Sequence, residues 1–323
     1  MMKTPAIRLA NMPSLAALGP AFALLAAVAF FATQNERFLT PQNFSLILQQ
    51  VMVVGVLALG QTLIILTAGI DLSCGMIMAL GGVVMAKVAA DWGWSAPAAM
   101  ALGLAVTTLL GALNGWLVTQ WRLPSFIVTL GTLNIAFAVT QLYSRSQTIT
   151  DIPEGMVWLG NTFRLGETAV AYGVVVLLLL YAVAWWALRE TQPGRHVYAV
   201  GNHPEATRLV GIATHRVLFG VYVVAGALYG VAAMLSVART GAGDPYAGQT
   251  DNLDAITAVV LGGTSLFGGR GSVMGTLLGV LIVGVFRNGL TLMGLPSIYQ
   301  VLVTGILVIL AVAFDNVARR GGR

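Results

Sequence analysis

LILQQVMVVGVLALGQTLIIL, residues 46–66, contains no charged residue. A helix needs about 20 predominantly apolar residues to cross the hydrocarbon core of a bilayer, and this segment supplies them. Outward from it, predominantly apolar stretches recur at 15–31, 72–90, 98–119, 125–143, 169–188, 216–237, 253–267, 272–290 and 298–314. The sequence therefore predicts an all-α integral membrane protein of about ten transmembrane helices, one membrane domain over 1–323. The stretch 253–267 is too short to cross upright and ends in Gly262-Gly263-Thr264-Ser265, where glycine lets a helix break. The first stretch runs into the polar Thr33-Gln34-Asn35-Glu36-Arg37 without a small-residue cleavage site, and is expected to be a span rather than a signal peptide.

Composition excludes several classes of function. Of 323 residues, 57% are hydrophobic and 9% are charged, where a soluble domain carries about 25% charged residues. Mean hydropathy is +0.84. A soluble enzyme and a disordered regulator are both ruled out. The pI of 9.7 hints at nucleic acid, but 17 basic residues against 12 acidic ones are too few to line a phosphate groove. Cys74 is the only cysteine, so neither an internal disulfide nor a cysteine metal site can form. His196, His203 and His215 have no metal-ligand spacing. No metal, cofactor or nucleic acid is expected.

Ten spans place both termini on one side, and the basic residues choose it. One side carries Lys3, Arg8, Arg122, Arg189, Arg195, Arg208, Arg216, Arg270, Arg319, Arg320 and Arg323, against Asp71, Glu190, Glu205 and Asp315. The other carries Arg37, Lys87, Arg145, Arg164, Arg239 and Arg287, against eight acids. The termini are therefore expected in the cytoplasm of a bacterium, with the chain in its inner membrane. An internal echo accompanies this topology. Asn114-Gly115 followed by Leu123-Pro124-Ser125-Phe126 matches Asn288-Gly289 followed by Leu295-Pro296-Ser297-Ile298. The copies lie five spans apart, an odd number, so spans 2–5 and 7–10 would be inverted repeats of the kind that build two-faced transporters. Asn-Gly and Pro-Ser are also common turn signals.

One long polar loop, 189–215, contains a short helix signal. Asn202 or His203 can cap it, Pro204 suits its first turn, and Glu205 complements its dipole. Ala206, Leu209, Val210 and Ala213 would form an apolar stripe, and Gly211 limits the helix. Such a stripe needs a bilayer surface or a partner's groove; an ordinary solvated loop is the alternative.

This loop, Gly194-Arg195-His196-Val197-Tyr198-Ala199-Val200-Gly201-Asn202-His203-Pro204-Glu205-Ala206-Thr207-Arg208-Leu209-Val210-Gly211-Ile212, closely resembles the cytoplasmic loop of the ribose-type sugar permeases of bacterial ABC importers. Ala68-Gly69-Ile70-Asp71-Leu72-Ser73-Cys74-Gly75, Pro124-Ser125-Phe126-Ile127-Val128-Thr129-Leu130-Gly131-Thr132 and Leu261-Gly262-Gly263-Thr264-Ser265-Leu266-Phe267-Gly268-Gly269-Arg270-Gly271-Ser272 resemble three further motifs of that family, in order, from about residue 41 to the end. The resemblance implies a permease subunit working as a dimer of identical or related chains. It would sit on a separate ABC ATPase whose cleft receives Asn202, Pro204, Glu205, Ala206, Arg208, Leu209 and Gly211, and it would take sugar from a periplasmic binding protein. The chain departs from the family after Thr132, where an Arg-Gly pair is usual and Asn134-Ile135-Ala136 stands here. It has no phosphate loop, and its only lysines are Lys3 and Lys87, so ATP hydrolysis belongs to another chain.

Asp71 lies at a break between apolar spans. An ionisable group at membrane depth is a functional candidate, although Asp71 could equally cap the helix that starts near Ser73. Gln61, Asn114, Asn134, Asn288 and Gln300 can bond sugar hydroxyls or tie helices together. With Asp71 they are the candidate path and gate. An importer fed by a binding protein needs only a weakly polar tunnel, so no tight pocket is expected. Other readings are an importer of the same architecture for branched-chain amino acids, nucleosides or a furanosyl signalling molecule, or a secondary transporter. No paired carboxylates or catalytic constellation favour a membrane enzyme. Reporter fusions at residue 1 and residue 323 should both report the cytoplasm; an opposite-side pair would remove one span and the inverted repeat with it.

Overall fold

The computed structural model describes residues 15–321; Lys3, Arg8 and Arg323, three of the basic residues assigned above to the inner side, lie outside the described residues. Five helices come first: α1 (Leu15–Gln34), α2 (Pro41–Leu66), α3 (Cys74–Trp92), α4 (Ala96–Gln120) and α5 (Ser125–Ser144). A short helix α6 (Glu154–Val157), a 3-10 turn (Trp158–Gly160) and a hairpin of β1 (Thr162–Leu165) on β2 (Thr168–Ala171) lead to α7 (Tyr172–Glu190). Then come α8 (Gln192–Asn202), α9 (Pro204–Leu209), α10 (Thr214–Thr240), α11 (Asp251–Leu261), α12 (Val273–Leu292) and α13 (Ser297–Gly321).

Seven of these helices, α2, α3, α4, α5, α7, α10 and α12, are long and apolar enough to cross a bilayer. The protein is a multi-pass, overwhelmingly helical membrane protein. Among the described residues, the apolar stretches of α1 and α13, Gly19–Gln34 and Ser297–Leu307, are shorter. The stretch 253–267 contains no crossing helix. α11 has 11 residues, a length of about 16 Å against a hydrocarbon core of about 30 Å, and it stops just before Gly262.

Two local expectations are corrected. The span placed at 169–188 begins inside β2, because Thr162–Leu165 and Thr168–Ala171 pair antiparallel around Gly166-Glu167, a two-residue turn with glycine first. The polar loop 189–215 is two helices rather than one helix in a loop. The Thr191 hydroxyl accepts the Gly194 N–H at 3.3 Å, Pro193 sits in the first turn, and Gly194, Val197, Val200 and Gly201 bury one face. Asn202 therefore ends α8 instead of capping α9, and the side chain of His203 makes no cap bond.

α2 and α10 pack on each other at the centre of the bundle. α4 packs on α10 as α12 packs on α2. α3 contacts α10, α4 and α5, while α11 contacts α2, α12 and α13. Exchanging α2–α5 with α10–α13 leaves this pattern unchanged. α3 and α11 also begin against each other. The Asn252 amide donates to the Leu72 carbonyl at 3.1 Å, and a Cβ on Gly75 would strike the carbonyl of Gly248.

α2 and α12 are tied by a reciprocal amide pair: Asn43 Nδ2 donates to Asn288 Oδ1 at 2.9 Å and Asn288 Nδ2 to Asn43 Oδ1 at 2.8 Å. Both residues are buried. Removing one amide strands the other, at about 1–3 kcal/mol. Thermal unfolding in detergent should show Asn43→Ala and Asn288→Ala each destabilising, and the double variant less so than the sum of the two.

Candidate functional site

The chain between α2 and α3 leaves helical geometry inside an apolar bundle, so each of its polar groups needs a partner. Asp71 is fully buried. Its Oδ1 accepts the Ser73 N–H at 2.7 Å and the Ser73 hydroxyl, and its Oδ2 accepts the Tyr229 hydroxyl at 3.1 Å. The Gln61 amide donates to the Asp71 carbonyl. Asn114 Nδ2 donates to Ser73 Oγ at 3.1 Å, and Thr132 Oγ1 donates to Asn114 Oδ1 at 2.6 Å. The Ile70 N–H donates to Ser125 Oγ and the Leu72 N–H to Thr129 Oγ1, both at 3.1 Å. With Asn252 on the Leu72 carbonyl, side chains from α2, α4, α5, α10 and α11 all converge on one turn. Asp71 makes no ion pair among the described residues.

The six candidate path residues do not form one lining. Gln61, Asn114 and Asp71 meet in this cluster. Asn288 is committed to Asn43. Asn134 is exposed and donates to the Leu130 carbonyl of its own helix at 2.9 Å. Gln300 donates to Thr291 Oγ1 at 3.0 Å and borders a cavity.

That cavity, of about 520 Å³, is walled by α10, α11, α12, α13 and the chain 244–250. It carries charge of both signs. Arg287 Nη1 meets Asp254 Oδ2 at 2.9 Å and Asp251 Oδ1 at 3.4 Å, and Thr304 Oγ1 donates to Asp254 Oδ1 at 3.2 Å. Arg239, Asp244 and Gln50 complete its polar rim; Gln50 Oε1 is buried without a partner among the described residues. Gly248 and Asp251 belong to this wall, and Gly248 touches Gly75 behind it, so the Asp71 turn backs the cavity floor. The sequence offered these charges one by one, at the ends of apolar stretches and between them, without showing that they meet.

On the other side of the turn, α8 rests on the chain. A Cβ on Gly201 would strike the Leu66 carbonyl and the Gly269 N–H, and that N–H donates to the same carbonyl at 2.9 Å. The Tyr198 hydroxyl donates to the Gly271 carbonyl at 3.0 Å; burial pushes its phenol above the usual range, which keeps it a donor. α8 thus touches both breaks, 67–73 and 262–272. Beyond it, Asn202, Pro204, Glu205, Ala206 and Arg208 are exposed, and Leu209 and Val210 are 78% and 75% exposed. The apolar stripe is shorter than expected: α9 ends at Leu209, and Gly211 turns the chain towards α10, leaving Ala213 off the helix. Glu205 and Arg208 pair at 3.0 Å in solvent, which contributes little.

Residues 43–312 match the family described as branched-chain amino acid transport system / permease component. The chain belongs to this permease family. Among its relatives, a fructose import permease of Rhizobium meliloti is 44% identical over 92% of this chain and 84% of its own. A ribose import permease of Escherichia coli is 40% identical over 91% of this chain and 92% of its own. A xylose transport system permease of Escherichia coli is 32% identical over 92% and 91%. The permease is a transport component, and its buried polar cluster is read accordingly, as architecture of a transporter rather than as a catalytic centre.

Sequence pattern pointed to Asp71, Gln61 and Asn114 but gave no role to Tyr229, Ser125, Thr129 or Asn252, whose roles depend on helices meeting. Asp71→Ala should lower permease stability by about 3 kcal/mol or more, because three donors lose their acceptor at once. Tyr229→Phe should cost about 1 kcal/mol, and Asp71→Asn should fall between the two. Thermal unfolding in detergent measures the order.

Proposed function

We propose that this permease is the membrane subunit of an ATP-driven importer for a monosaccharide, working by alternating access with a separate ABC ATPase and a periplasmic binding protein. The observation that carries the reading is the set of relatives named as fructose, ribose and xylose importers, matched over nine-tenths of the chain. In this reading the chain makes ten passes through the bacterial inner membrane as one unit over 1–323, one of them by the short α11 continued through the non-helical chain 262–272, with both termini cytoplasmic. A second permease chain completes the assembly. The exchange-symmetric packing of α2–α5 and α10–α13 supports the inverted repeat. The cavity bordered by Gln300 is the outward mouth, and the Asp71 cluster with Gln61 and Asn114 is the closed gate beneath it. Asn288 serves this path indirectly, by holding α12 to α2, and Asn134, exposed and bonded within α5, stands outside it.

The exposed Ala206, Leu209 and Val210 are the surface that enters the ATPase cleft, with Asn202, Pro204, Glu205, Arg208 and Gly211 around it. α8 passes ATPase motion to both breaks at once. Branched-chain amino acids are the second reading; the cavity's opposite charges could hold a carboxylate and an ammonium, and the family description names that substrate.

Uptake of labelled fructose, ribose, xylose and leucine by the permease with its cognate ATPase and binding protein separates the two. Sugar uptake supports the first reading, and leucine uptake alone overturns it. Leu209→Asp should leave the permease in the membrane at normal level yet abolish co-purification with the ATPase, since an unpaired carboxylate in an apolar cleft costs about 2 kcal/mol or more. Glu205→Lys should weaken the association less. Retained binding and uptake in Leu209→Asp would remove α9 as the coupling element.

A further inference from the structure

A second hollow lies away from the path. α7 and α10 stand apart, bridged at one end by α8 and floored by α2. The groove between them holds about 600 Å³ and is lined by Leu59, Leu63, Val183, Val217, Val224 and Leu228, among other apolar side chains. All three walls are membrane-spanning helices, so the groove opens into the hydrocarbon layer. Its polar atoms gather at the α8 end, where Arg216, His196 and Thr191 border it and no Asp or Glu does. Trp185 and Trp186, half exposed near that end of α7, are the amphipathic residues that settle at a membrane–water boundary. From Arg216 to Leu228 along α10 is about 18 Å, close to the thickness of one leaflet's hydrocarbon, about 15 Å.

We propose that this groove binds one anionic phospholipid, an acyl chain lying between α7 and α10 and the headgroup phosphate held by Arg216 and His196. The groove is lopsided in the way such a lipid is: a long apolar body, one basic end and, among the described residues, no carboxylate in its lining. The phosphate supplies the counter-charge, and a guanidinium is suited to it. Gly220 gives a direct handle, because it lines the groove and a Cβ there meets nothing within 4 Å.

Permease purified in mild detergent from membranes of phosphatidylethanolamine, phosphatidylglycerol and cardiolipin is examined by native mass spectrometry. Phosphatidylglycerol or cardiolipin should remain bound in excess of its share of the membrane. Arg216→Ala should lower that retention about fivefold, and Gly220→Leu, whose side chain grows into the open groove, should abolish it while the protein stays monodisperse. Full retention of anionic lipid in both variants overturns the proposal. Retention without headgroup preference overturns the phosphate site. Disulfide-linked pairs formed by Gly220→Cys under oxidation would place a second copy of the chain in the groove and overturn the lipid.

Discussion

The fold depends on how a non-helical backbone is satisfied inside an apolar bundle. Residues 67–73 give up the helical ladder, and nothing in a hydrocarbon setting replaces it except other parts of the protein. The replacement is assembled from five helices: amides and hydroxyls of Gln61, Ser125, Thr129 and Asn252 serve the backbone, the Asp71 carboxylate gathers Ser73 and Tyr229, and Asn114 donates to the Ser73 hydroxyl. Each of those side chains sits on a helix that must be correctly placed for the turn to exist. The turn in exchange fixes where α3 begins and what it faces. Most buried polar groups of this region are therefore structural donors and acceptors.

The two breaks give the permease its division of labour. One break, 67–73, lies between the cavity floor and α8; the other, 262–272, is reached from α8 through Gly269 and Gly271. α3 and α11 start against each other, so a shift of either break reaches the floor through the Leu72–Asn252 bond and the Gly75–Gly248 contact. The charged cavity, the buried turn and the exposed α9 are thus stations along one continuous set of contacts.

The helical, membrane-spanning character was legible because hydrophobic runs of about 20 residues have few other uses, and the stop at Gly262-Gly263 was legible because glycine marks a break. The hairpin was not: β2, Thr-Ala-Val-Ala, is as apolar as the helix it precedes, so periodicity had nothing to separate. α8 was hidden by its composition. Its face is made of Gly194, Val197, Val200 and Gly201, and two glycines read as a loop until the surface they approach is known. Glu205, Ala206 and Leu209 were found where expected, on a short exposed helix. Tyr229 was invisible for another reason: either tyrosine among the alanines and valines of α10, Tyr222 or Tyr229, carries no sign of the carboxylate that Tyr229 meets from 158 residues away.

The seat of α8 on the rest of the chain has a directional consequence. Gly201 lies backbone to backbone on Leu66 and Gly269, and such a contact is stiff under compression, because overlap energy rises steeply. Under tension it offers only dispersion, about 0.1–0.2 kcal/mol per atom pair. The bond that can bear a pull is the one from the Tyr198 hydroxyl to the Gly271 carbonyl. A push on α8 therefore bears on both breaks together, whereas a pull bears mainly on 262–272, so that the two directions of load are not shared equally between the breaks.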